Sequence, residues 1–133
     1  MRTETFETPG PIQLGVEIRS GSVFVTAAEV TQTTVEIEGK HADEVVVEQE
    51  EGAVWVETPK ARGLGSDREW AIDLRISTPA HGDVTVQSGS APVAVKGSVQ
   101  TARVKTGSGD VQLDEVAAEA LGDTGSGQIV VGR

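Results

Sequence analysis

The sequence contains no cysteine and no tyrosine, and among its 133 residues it has only two tryptophans and two phenylalanines. The absence of cysteine excludes a disulfide framework and thiol chemistry. With so few aromatic side chains, the core must be built from valine, isoleucine, leucine and alanine, and β-branched side chains favour a pleated sheet. No apolar run approaches the roughly 18 residues of a membrane-spanning helix, and no signal-peptide pattern is visible. We therefore expect a cytoplasmic protein without direct membrane insertion.

Basic residues are also scarce, because 11 lysines and arginines stand against 21 aspartates and glutamates, which gives a net charge of −10. A surface with this charge repels nucleic acid, so a nucleic-acid partner is not expected. One interpretation is a charged surface that keeps a β-rich protein in solution. The alternative is an acidic docking face for a basic partner. The length predicts a single domain, 1–133.

Apolar and polar residues alternate along most of the chain, and no helical stripe is visible. The alternation is clearest over residues 12–18 and 70–76. Frequent glycines separate these short runs, and this combination predicts an all-β fold. Residues 59–67 have no apolar period, so they are predicted to form a mobile loop.

The last part of the chain repeats itself every 18 residues. The glycines Gly89, Gly107 and Gly125 fall in register, and so do three apolar pairs: Val93/Val95, Val111/Leu113 and Ile129/Val131. A fixed period is typical of stacked units that bury their apolar faces against their neighbours. We therefore predict a β-solenoid of short strands, with 18-residue coils over residues 78–133 and a more irregular β-meander over residues 1–77. Each coil should place one apolar pair on each of two facing sheets.

The repeat ends in an apolar pair, Ile129 and Val131, without a polar cap. A solenoid that stops in this way exposes a strand edge with unpaired backbone groups. We therefore predict that this C-terminal strand edge binds a protein partner or a second copy of the chain.

Four segments carry a resemblance to a known family: residues 5–10, 20–25, 76–80 and 105–111. The most specific is Thr-Gly-Ser-Gly-Asp-Val at 106–111, which returns in weaker form at 124–129. Together they resemble the adhesin-like DUF4097 family of the bacterial toast-rack group of β-repeat domains, in a form similar to actinobacterial members. The resemblance implies a β-solenoid-like domain without assigned catalytic residues. It also implies an interaction or assembly module that is linked to envelope stress.

Glycine-rich coils of this length also occur in calcium-binding β-rolls, whose turns carry a ladder of aspartates. Here only the middle coil has an aspartate, Asp110, and the equivalent positions hold Pro92 and Gln128. Calcium needs several oxygen ligands, which one carboxylate does not supply. Calcium and other cofactors are therefore not expected.

No catalytic motif is visible either. His41 and His81 lie in predicted turns and form neither a zinc site nor a triad, and the Gly-Ser runs lack the strand-to-helix context of a nucleophile elbow. A β-helix hydrolase would need paired carboxylates in a groove. The candidates for such a pair are Asp110, Asp114, Glu115, Glu119 and Asp123. Outward positions of an acidic protein account for these residues, so we predict that the chain is not an enzyme.

Two aromatic side chains are candidates for an interaction surface. Trp55 and Phe24 each lie between two valines, so the alternation turns both aromatic rings away from the core. They could form an exposed patch, or residues 59–69 could cover them. The sequence thus favours a non-catalytic structural module that acts through protein–protein contacts and self-association. The alternatives are a carbohydrate-binding or adhesive module at Trp55 and Phe24 and, less favoured, a β-helix hydrolase.

Overall fold

The computed structural model describes residues 2–39, 42–58, 71–125 and 127–131. Within them the chain forms ten β-strands and one short 3-10 turn, Ala42–Glu44. The strands are β1 (Arg2–Glu7), β2 (Gln13–Ala28), β3 (Gln32–Glu38), β4 (Val46–Glu50), β5 (Ala53–Glu57), β6 (Ala71–Pro79), β7 (Asp83–Ser90), β8 (Val93–Ser108), β9 (Val111–Thr124) and β10 (Ile129–Val131). All ten belong to one open sheet, which confirms the predicted all-β class.

Two segments with predicted features are not described by the structure. The predicted mobile loop at 59–67 and the turn at His41 lie outside the described residues. In the part of the chain that is described, no helix is long and apolar enough to cross a membrane.

The sheet divides into two rows of strands because β2, β8 and β9 each change partners at mid-length. The first row runs β4, β5, the first half of β2, β7, the second half of β8 and the second half of β9. The second row runs β1, β3, β6, the second half of β2, the first half of β8, the first half of β9 and β10. Both rows turn their alternate apolar residues to one common core.

Strands from β7 onwards are parallel and offset by the repeat length. Val84 pairs with Ala102, and Val93 pairs with Val111, which in turn pairs with Ile129. Each 18-residue unit therefore lies directly on the unit before it. The N-terminal strand β2 begins this stack, because its two halves pair in parallel with β7 and with the first half of β8.

The N-terminal part is not the meander that the sequence predicted. Among the described pairings within residues 1–77, only β4 and β5 join consecutive strands. β2 lies instead at the centre of both rows, and β1 and β3 extend the second row by antiparallel pairing. Alternation identifies a strand but not its neighbour, and β2 is apolar along its whole inner side, which favours a central place.

Strand β2 continues without a break through residues 20–22. Gly21 has a φ of 117°, so the strand bends at this glycine while its ladder continues. Gly97 in β8 has a φ of 90° and lies at a second bend, beside a register shift between Val95 and Ser98. Because of these bends, one half of each strand belongs to the first row and the other half to the second row.

The core is aliphatic, as the scarcity of aromatic residues predicted. Its most deeply buried large side chains are Leu14, Ile37, Ile72, Leu74, Val23, Val25, Val35, Val54, Val56, Val84, Val86 and Val93. Phe6 is only partly buried and packs against the edge of this cluster.

The Thr-Gly-Ser-Gly motif lies at a corner of the stack, where the chain passes from the first row to the second. Its threonines contact the preceding corner. The Thr106 hydroxyl lies 2.8 Å from the Ser108 carbonyl of its own corner and 3.3 Å from the Ala91 carbonyl of the preceding corner, and it can donate to either. The Thr124 hydroxyl donates in the same way to the Gly109 carbonyl, at 3.1 Å. Ser88 occupies the same position one repeat earlier, where its buried hydroxyl has no hydrogen-bond partner among the described residues.

The in-register glycines form a column in which backbone lies against backbone. A Cβ at Gly107 would lie 2.5 Å from the carbonyl oxygen of Gly89, and a Cβ at Gly125 would lie 2.7 Å from that of Gly107. Contacts this close leave no room for a side chain. The glycine period of the sequence is thus the packing period of the corners.

The bend at Gly97 provides a stability test. A Cβ at Gly97 would overlap the Ala27 carbonyl, whereas one at Gly52, which also has a positive φ, meets no atom within 4 Å. Alanine at either site carries the left-handed backbone cost of about 1–2 kcal/mol. Gly97→Ala should lower the free energy of unfolding by about 1–3 kcal/mol more than Gly52→Ala does, because overpacking against the Ala27 carbonyl adds to that cost. Urea unfolding followed by circular dichroism measures both, and equal losses would contradict the close packing.

Candidate functional site

The structure distributes the four predicted interaction residues over three places. Phe24 lies on the outer side of the second row, and Trp55 lies on the outer side of the first row. Because both point away from the shared core, they lie on opposite faces and do not form one patch. Ile129 and Val131 lie on β10, at the end of the second row. Residues 59–69, which the sequence left open as an alternative cover for the aromatic rings, lie outside the described residues.

The terminal edge, which we define as β10 together with residues 117–124 of β9, is where the stack ends in the described chain. Among the described strands β10 pairs only with β9, on one side. Val93 and Val111, at the equivalent positions of earlier units, are 1% and 0% exposed. Ile129 and Val131 are 39% and 49% exposed although they follow the same apolar pattern.

The second half of β9, in the first row, and β10, in the second row, border the open end of the core. A Cβ at Gly122 would lie 3.1 Å from the Ile129 side chain, so Ile129 packs on the bare backbone of β9. Leu121 and Val130 are exposed as well, but the alternation of their strands turns them to the outer sides of the first and the second row. The sequence singled out neither of these two residues, because they lie outside the repeated apolar pairs. Unpaired backbone groups with apolar side chains make this edge a template for a further strand.

Three of the carboxylates considered for a hydrolase, Asp110, Asp114 and Glu115, link adjacent units of the stack. Asp114 Oδ2 accepts a hydrogen bond from the Gly97 amide at 3.1 Å, and Glu115 Oε2 accepts one from the Ser98 hydroxyl at 2.6 Å. Asp110 Oδ1 accepts from the backbone amide of the following unit. Among the described residues, no three acidic, histidine or cysteine side chains gather as a metal-binding group. These contacts give the carboxylates a local structural role.

His81 lies in the turn between β6 and β7 with a φ of 70°. Its Nε2 atom lies 4.0 Å from Glu29 Oε1, and both side chains are exposed. It borders a shallow depression of about 410 Å³ that Gln13 and Gln100 also line. One exposed imidazole with one distant carboxylate does not make a triad.

A groove of about 990 Å³ crosses the outer side of the second row. We call it the Phe24 groove, because Phe24 lies in its middle and is 41% exposed. Side chains from β3, β6, β2, β8 and β9 line it, and its charged residues are Glu36, Glu38, Asp73, Asp110 and Arg75.

Strand register decides what surrounds Phe24. On one side Phe24 pairs with Arg75, which pairs with Glu36 on the next strand. On the other side Phe24 pairs with Ala94. The sequence could not indicate this grouping, since the residues come from strands that are distant in the chain.

A second set of cross-strand neighbours lies in the Phe24 groove, beside the set that contains Phe24 and Arg75. Glu38 pairs with Asp73, so two carboxylates stand directly opposite each other on neighbouring strands. Asp73 pairs with Ser22 in turn, and the Ser22 hydroxyl donates to Asp73 Oδ1 at 2.9 Å. Like charges in facing positions on one sheet surface destabilise it.

The opposite surface, which we call the Trp55 face, has a different character. Trp55 pairs with Gly15 on β2 and with Glu48 on β4. A Cβ at Gly15 would overlap the indole ring, so the ring lies directly on the glycine backbone. The indole nevertheless remains 43% exposed. A bare stretch of backbone thus supports a broad aromatic surface.

Comparison with known proteins finds similarity in fold. No protein-family model matches the sequence, and no curated protein matches it. A solved protein from Clostridium sporogenes, provisionally described as a cell adhesion protein, has a TM-score of 0.63 at 10% sequence identity and matches over 98% of both chains. A provisionally described adhesin from Bacteroides fragilis has a TM-score of 0.42 at 11% identity, over 98% of this chain and 96% of its own. At 10% identity, the first match shows that the two proteins share a fold.

The contact between Trp55 and Gly15 can be tested by fluorescence in a Trp70→Phe background, where Trp55 is the one indole. Gly15→Ala should lift the ring from the strand, increase its quenching by acrylamide and lower the free energy of unfolding by about 1–3 kcal/mol. Gly10→Ala is the control, since a Cβ at Gly10 meets no atom within 4 Å. Unchanged quenching in Gly15→Ala would show that the ring does not lie on Gly15.

Proposed function

We propose that this chain is a non-catalytic interaction module that works through protein–protein contacts, including contact with a second copy of itself. The terminal edge carries this proposal. Ile129 and Val131 continue the buried apolar pattern of the stack, yet they are 39% and 49% exposed. A further strand on this edge would cover both side chains and pair the free backbone groups of β10.

The strand register supports reading the repeated units as coils of a β-solenoid. Parallel pairing at the 18-residue offset holds in both rows, and the corners repeat the same threonine and glycine contacts. This is the architecture that the resemblance to the DUF4097 toast-rack group implies, together with an assembly role linked to envelope stress. Cytoplasmic location remains a prediction from the sequence.

A second copy is a suitable occupant of the terminal edge for a geometric reason. Two antiparallel copies of β10 can exchange backbone hydrogen bonds about a twofold axis, and closed twofold pairing is the commonest form of self-assembly. It would bring Ile129 of each copy against the open end of the other core. A heterologous partner strand with the same apolar alternation would fit the same edge.

Sedimentation velocity of Ile129→Lys tests this proposal. The wild-type chain should form a dimer or a larger species at tens of micromolar, and lysine at the terminal edge should weaken that association by at least about tenfold, since it buries a charge in the contact. Circular dichroism must show that the variant retains its fold.

Val30→Lys is the matched control, because Val30 is an exposed aliphatic residue in the connection between β2 and β3, outside the terminal edge. It should leave the association unchanged. A wild-type chain that is monomeric at tens of micromolar would refute self-association, and equal weakening by both lysines would refute the location.

Carbohydrate binding or adhesion is the second candidate function, and the Trp55 face favours it. The indole is broad, exposed and supported from below by Gly15, with the polar side chain of Glu48 beside it. Aromatic rings of this kind stack on the apolar faces of sugars while polar neighbours bind the hydroxyl groups. The described role of the Clostridium sporogenes protein, cell adhesion, is compatible with it.

A glycan array tests the second candidate. If the Trp55 face binds sugar, some glycan should bind the wild-type chain, and Trp55→Ala should abolish its signal because the stacking surface is lost. Phe24→Ala, on the opposite face, should retain that signal. An array without hits would remove this candidate, and so would a signal that Trp55→Ala retains.

A further inference from the structure

We propose that the Phe24 groove binds an extended cationic peptide segment, with lysine or arginine at alternate positions. This surface lies on the outer side of the second row, so it is separate from the terminal edge. The inference concerns a second contact and does not depend on self-association.

The size of the groove suits an extended segment. It crosses five neighbouring strands, β3, β6, β2, β8 and β9. Four spacings of about 4.8 Å give a length of about 19 Å, which about six residues cover at about 3.3 Å each.

The charge of the groove favours a positively charged ligand. Four carboxylates, those of Glu36, Glu38, Asp73 and Asp110, line it with one guanidinium, that of Arg75. Acidic and phosphorylated ligands are therefore repelled, and a basic segment is attracted.

Two of these carboxylates indicate where the cation binds. Glu38 and Asp73 face each other on adjacent strands beside Phe24, so a cation between them would relieve the repulsion of two like charges. The Ser22 hydroxyl occupies only one oxygen of Asp73, so the other oxygen can accept from a ligand. A lysine or arginine of the peptide would compensate the two negative charges.

Phe24 supplies the second element of recognition. It is 41% exposed, and its neighbour Ala94 leaves space on one side of the ring. Lysine and arginine pack their aliphatic stems on such surfaces, and their cationic groups are attracted to the aromatic face. A neutral sugar would gain from the ring but not from the negative charges of Glu38 and Asp73, so the combination favours a cationic peptide.

Fluorescence anisotropy with a labelled hexapeptide of alternating arginine and serine tests the proposal on the whole chain. Binding should weaken by about three- to tenfold in Glu38→Gln/Asp73→Asn, since each exposed charge pair contributes modestly. Phe24→Ala should weaken it by about two- to fivefold through loss of the cation–π contact. Arg75→Gln, which removes the competing positive charge, should strengthen it.

The control is Glu17→Gln/Glu57→Gln. These two glutamates also face each other on adjacent strands, but they lie on the first row, outside the groove. This variant loses the same charge and should bind within about twofold of wild type, because screened distant charges contribute little. Equal weakening by both double variants would overturn the proposal, since it would show attraction to the whole acidic protein. Absence of peptide binding, or its displacement by a neutral tetrasaccharide, would overturn it as well.

Ile129→Lys separates this proposal from self-association. Its hexapeptide affinity should equal that of the wild type, whereas its oligomeric state should change. Loss of peptide binding in Ile129→Lys would place the peptide at the terminal edge and overturn the groove assignment.

Discussion

Close backbone contact at the corners is the constraint on which this structure depends. Gly89, Gly107 and Gly125 form a column because a side chain at any of them would strike the carbonyl of the preceding unit. This contact holds consecutive units at strand spacing. The 18-residue offset holds along both rows except beside the bend at Gly97, where Ser98 and Val99 pair with Glu115 and Val116. The threonine hydroxyls then satisfy corner carbonyls that the bend removes from the ladder. The core, in which no aromatic side chain of the described residues is fully buried, can therefore remain continuous over the stack.

The same constraint separates the candidate interaction surfaces. Parallel stacking buries the inner side chains of every unit except the terminal one, so the apolar pattern is exposed only where the described stack ends. Outward-facing residues of neighbouring strands lie side by side, and their chemical character differs between the two rows. On one row a tryptophan rests on Gly15, while on the other Phe24 lies among carboxylates. One scaffold thus presents an exposed apolar edge and two chemically distinct faces.

The sequence allowed much of the fold to be predicted. The alternation predicted the all-β class, and the glycine period predicted which residues stand beside each other from Val84 onwards. It did not predict the place of β2, because this strand has no counterpart at the repeat distance and pairs with strands far along the chain. Of the candidate surfaces, the exposure of Ile129 and Val131 was expected, and that of Phe24 and Trp55 was one of two alternatives, but the separation of the two aromatic rings was not predicted.

What the sequence by itself determined is therefore local and periodic: strand content, the aliphatic core and the 18-residue register of the corners. These follow from the two-residue period of a strand and from positions that only glycine can occupy. The tertiary structure alone decided that β2 lies at the centre of both rows and that Glu38 faces Asp73 near Phe24. Such groupings depend on pairing between strands that are distant in sequence, and no local pattern specifies that pairing.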